Sequence, residues 1–81
     1  MLSLERVGTL AAEAARELRL NASVAGITPA GDGSYAEVIL TLTQHDKPKR
    51  VVVGLDRSQT PREIKAAARA ELQDFDSGLE T

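Results

Sequence analysis

Between Ser3 and Asn21 the apolar positions Leu4, Val7, Leu10, Ala11, Ala14 and Leu18 recur at intervals of three and four, the spacing of one helical stripe. Ser3 stands before the stripe as an N-cap and Asn21 after it as a C-terminal stop. Glu5, Thr9, Glu13, Arg16 and Glu17 fall mostly on the opposite face. Gly8 costs this helix about 1 kcal/mol relative to alanine, or marks a close crossing of another backbone.

The period then shortens. Ala22–Thr28 is β-branched enough to predict a short strand, which Pro29 ends. "PAGDGS" predicts a tight turn, because Asp-Gly favours the positive φ angles that join antiparallel strands. From Ser34 to Thr43 the alternation is strict, with Ala36, Val38, Leu40 and Leu42 on one face and Tyr35, Glu37, Ile39, Thr41 and Thr43 on the other. One side is core and the other largely wet. "QHDKPK" predicts the second turn, and Arg50–Leu55 a third strand with Val51, Val53 and Leu55 facing one way.

The last element opens with "SQTPREIK". Thr60 is its N-cap, Pro61 occupies the first helical position, and Glu63 completes a capping box. Ile64, Ala67, Ala68, Leu72 and Phe75 form its buried stripe, and the acidic "DSGLET" beyond it carries no packing signal. The expected fold class is therefore α+β: an α-β-β-β-α chain whose three strands form an antiparallel meander with both helices on one face. Residues 1–76 make one small domain and 77–81 a frayed acidic tail.

Composition narrows the chemistry. Of 81 residues 34 are apolar, but 12 of those are alanine, so the core is thin and surface is left over for a partner or a second copy. The absence of cysteine removes disulfides, thiolate catalysis and cysteine-containing zinc sites, and fits a reducing compartment. No apolar run approaches the length that spans a bilayer, which points to a soluble, cytoplasmic chain. The single histidine, His45, lies beside Asp46 in a polar turn with no nucleophile near it, so neither catalysis nor a metal or other cofactor is expected.

The net charge of −2 hides a polarity: seven basic residues against two acidic ones lie between Lys47 and Arg69, leaving +5 there and −7 elsewhere. Arg62, Lys65 and Arg69 recur at spacings of three and four along the second helix, and Lys47, Lys49 and Arg50 follow the second turn. Cations near a helix start oppose the positive end of its macrodipole. Either these six form an anion or nucleic-acid site, or they are solvated faces.

In element order, and in "TPREIKAAARAEL", the chain resembles the double-stranded RNA-binding domain. Thr60 matches that family's cap, Arg62 and Lys65 two of its basic positions, and Ala66, Ala67 and Ala68 its alanine run, while Pro61 replaces a third basic residue. "TPAGDGS" stands where the family carries Gly-Pro-x-His. The resemblance implies the fold, and duplex RNA as ligand of the second helix's basic start. The residues themselves favour a small non-enzymatic interaction module that binds a protein partner or itself, with nucleic-acid binding as the alternative.

Overall fold

In the computed structural model the chain runs α1 (Leu4–Glu17), β1 (Asn21–Ala30), β2 (Tyr35–Gln44), β3 (Lys47–Asp56), α2 (Pro61–Leu79). Backbone is described for residues 1–44 and 46–79, and side chains for residues 1–43 and 46–73. The expectations for the turn histidine His45, for burial of Phe75 and for residues 80–81 thus lie outside the described residues. The strands form one antiparallel sheet in the order β1-β2-β3, and both helices pack on the same side of it.

That side is dictated by the alternation. Ala36, Val38, Leu40, Leu42, Val53 and Leu55 point to it and are buried, meeting Val7, Leu10, Ala11, Ala14 and Ala15 of α1 and Ile64, Ala68 and Leu72 of α2. Five of these fourteen residues are alanine, so the helices approach the sheet closely and the core is shallow. Gly8 allows the closest approach: a Cβ there would lie 2.3 Å from Ile27 Cδ1 and 3.3 Å from Ile27 Cγ1. The crossing element is a side chain of β1 seated in the missing Cβ's place, not a backbone.

Both predicted caps form. Ser3 Oγ accepts from the Arg6 N–H at 3.1 Å, and at α2 the Thr60 Oγ accepts from the Glu63 N–H while Glu63 Oε1 accepts from the Thr60 N–H at 3.0 Å. The end of α1 differs from expectation. The chain turns out of the helix at Arg19 (φ 62°), two residues before Asn21, with Leu20 N–H donating to Ala15 O and Arg19 N–H to Arg16 O. This is a Schellman motif whose left-handed position is filled by arginine instead of glycine, and Asn21 is already the first residue of β1.

The outer strands are each longer than their patterns predict. β1 runs through Pro29 to Ala30, and β3 begins at Lys47, so "KPK" is strand and the turn beside it is correspondingly short. The prolines are accommodated by their register. Arg57 N–H donates to Ser34 O, directly opposite, so the odd residues of β3 aim their backbone groups at β2 and the even ones, Pro48 among them, aim theirs outward. By the same alternation Pro29, opposite Ala36, faces away from β2. A proline on an edge strand at an outward position removes no ladder bond. α2 likewise continues to Leu79, past the expected end at Phe75, because nothing in "DFDSGL" removes a backbone donor.

Two substitutions test these local arguments. Gly8→Ala should destabilise by about 1–2 kcal/mol despite its better helix propensity, and Ile27→Val should relieve most of that cost, a coupling readable in a double-mutant cycle of urea unfolding. Arg19→Gly should stabilise by about 1 kcal/mol, since Arg19 is exposed and glycine adopts its backbone conformation without strain.

Candidate functional site

The six basic residues of interest fall in two places: Arg62, Lys65 and Arg69 line one groove between the helices, and Lys47, Lys49 and Arg50 lie apart from them. Arg62 sits exposed in the first turn of α2, which the capping box holds rigid. Lys65 and Arg69 turn instead toward α1. The Lys65 ammonium lies 2.5 Å from Glu17 Oε2 and 3.8 Å from Glu13 Oε2, and the Arg69 guanidinium donates to Glu17 Oε1 at 3.1 Å. Lys47, Lys49 and Arg50 are exposed at the far end of the sheet. Lys47 pairs with Gln44 beside the turn, whereas α2 starts beyond Asp56 at the other end of a ten-residue strand, which spans about 30 Å.

The cross-helix pairs explain the cations that the α2 dipole alone disfavours. α1 and α2 run in the same direction, as shown by Glu13 and Glu17 meeting Lys65 and Arg69 in ascending order. Glu17 at the C-terminal end of α1 and Lys65 near the N-terminal end of α2 are each set against their own helix dipole. Each is the other's compensation. The hydrogen bond from Lys65 holds the Glu17 carboxyl below the usual carboxylate range, with Arg69 adding to the effect.

Arg57 belongs to the same basic segment but not to any surface charge pattern. Its Nε donates to Leu2 O at 2.9 Å and its Nη1 to Gly33 O at 2.7 Å, while Leu2 N–H donates to Arg57 O at 2.9 Å. One partly buried guanidinium thus ties the segment before α1 to the β1–β2 turn and to the end of β3. Sequence reasoning misses this role, since its carbonyl acceptors carry no sequence signal. Nearby, Asp56 Oδ1 accepts from both the N–H and the hydroxyl of Ser58, and Asp32 Oδ1 accepts from the Ser34 N–H. Those hydrogen bonds hold both aspartates below their usual range, and Thr60 does the same for Glu63.

Three surfaces among the described residues bear on binding. A groove of about 440 Å³ between the helices is lined by Arg6, Leu10, Pro61, Arg62 and the paired charges. A second, of about 510 Å³, lies between α1 and the β1 edge, with Gly8, Ala12, Val24 and Ile27 beneath Glu5 and Arg16. The third is the uncovered sheet face, where Tyr35 is 50% exposed and Val52 is 56% exposed. On that face Ile39 lies directly opposite Val52 on one side and Gly26 on the other. Among the described residues no group of His, Asp or Glu is arranged to hold a metal ion, and no helix is long and apolar enough to cross a membrane.

Acid titration tests the ion-pair assignment. A carboxyl depressed in the folded state contributes stability that is complete above its unfolded pKa and is lost as pH falls through its folded pKa. Glu17, Glu63, Asp32 and Asp56 share that sign. The urea midpoint should therefore fall below about pH 4. Lys65→Met should shrink the acid-induced loss by removing the largest cause of the Glu17 shift, and moderate salt should do the same to the wild type.

No protein-family model, curated protein or solved structure matches this chain.

Proposed function

We propose that this chain is a small, non-enzymatic interaction module that associates with protein, a second copy in the first place, through the uncovered face of its sheet and the adjoining edge of β3. One observation carries the reading. Ile39 and Val52 stand directly opposite each other on a face that no described element covers, with Tyr35 exposed farther along the same face and the floor lowered by Gly26 and Gly54. Scattered exposed apolar residues need no explanation, but aligned ones on a bare sheet face have the composition of an interface core.

The nucleic-acid alternative draws less support. A duplex needs several cations on one surface to release counterions together, and here Lys65 and Arg69 are committed to α1 while Lys47, Lys49 and Arg50 lie far from Arg62. In the turns beside the start of α2 the Arg57 guanidinium is committed to the Leu2 and Gly33 carbonyls, and Asp32 and Asp56 add negative charge. On this reading the resemblance to the double-stranded RNA-binding domain extends to architecture and not to its ligand. A cysteine-free chain is compatible with a reducing compartment, so the cytoplasm is the location proposed.

Sedimentation velocity from micromolar to millimolar concentration should show the average mass rising toward that of a dimer. Val52→Lys should move the same series back toward the monomer without changing the circular dichroism spectrum. A wild type that stays strictly monomeric throughout would remove the preference for a second copy.

A further inference from the structure

The two free edges of this sheet are not equivalent. β1 is broken by a bulge between Val24 and Gly26 and carries Pro29 at an outward position, so it offers no straight run of donors and acceptors. On β3 the protection is confined to one half. Lys47, Pro48 and Lys49 guard the end near the turn, whereas from Arg50 to Asp56 there is no proline and no bulge. Within that half, Arg50, Val52, Gly54 and Asp56 direct their backbone groups outward and their side chains to the uncovered face.

We infer that the open half of β3 pairs antiparallel with the same segment of a second copy, about a two-fold axis at Val53, giving a continuous six-stranded sheet. This deepens the interaction-module reading and rests on it. The register follows from side-chain chemistry. Centred on Val53, the pairing sets Arg50 opposite the other copy's Asp56 twice over, and each Val52 over the other copy's Gly54, where nothing lies within 4 Å of an added Cβ. On the helix side it sets Val53 opposite Val53 and Val51 opposite Leu55; Val53 and Leu55 are already buried in their own core, so this side adds no unmatched charge to the pairing.

Neighbouring registers fail this test. Centring on Val52 places Lys49 against Leu55 on the dry side and brings Pro48 into the ladder. Centring on Gly54 sets Val52 against Asp56 and Val51 against Arg57. Of the three, only the axis at Val53 both leaves the guarded residues outside the paired segment and sets opposite charges against each other. Asp56 is also equipped for the contact, because Ser58 occupies Oδ1 and leaves Oδ2 for the guanidinium. A charged pair directly opposite across two strands is favourable, and like charges there are unfavourable.

Charge reversal with mixing tests the register. Arg50→Asp alone and Asp56→Arg alone should each weaken dimerisation roughly tenfold or more, since each places two like-charged pairs across the axis. An equimolar mixture of the two variants should recover a mixed dimer of near wild-type affinity. Because Asp56 also orders Ser58, a second arm leaves it intact: Val52→Cys and Gly54→Cys variants, mixed and oxidised, should give a disulfide-linked heterodimer in preference to either homodimer. Self-linking of Val52→Cys would move the axis to Val52 and overturn the register. A wild-type dimer that neither arm perturbs would place the contact elsewhere, and a strict monomer would remove the underlying reading as well.

Discussion

Only one face of this sheet can be dry. With a core built from small residues, the apolar stripes of α1 and α2 have no other surface against which to bury, so both helices take the same side. The chain reverses at each of its four connections, and an even number of reversals returns the last helix parallel to the first. Parallel helices align their dipoles unfavourably, and the charges along their seam are arranged in response. Acid on the late turns of α1 faces base on the early turns of α2.

That arrangement changes what the basic stripe of α2 means. Read along the helix alone, Arg62, Lys65 and Arg69 are three cations where acids are favoured, which suggests a waiting anion. Read across the seam, two of the three already have their anions in Glu13 and Glu17. The pairs are partly exposed and individually weak, and they account for two of the three cations without any outside anion.

The architecture was legible because local and tertiary signals agree here. The stripes, both N-caps, the strict alternation of β2 and the glycines of the first turn, Gly31 at φ 64° and Gly33 at φ 96°, all follow from residue type and spacing. The limits of β1 and β3 were not legible. A proline ends a strand only where its nitrogen faces a partner, and which way it faces depends on register, a property of two strands at once. Arg57 and the destination of Lys65 escaped for a related reason, since their partners are more than twenty residues away or are backbone carbonyls.

The uneven protection of the two edges governs how far any assembly can grow. A sheet with two equally open edges would add copies without end, the geometry of a fibre. Here the bulge and Pro29 of β1 make that side a terminus. Were a copy to join along β3 as proposed, both outer margins of the combined sheet would be β1 strands, and neither would accept another. On the proposed pairing along β3, the irregularities that interrupt the pattern of β1 would act as a stop, limiting the assembly to a closed pair.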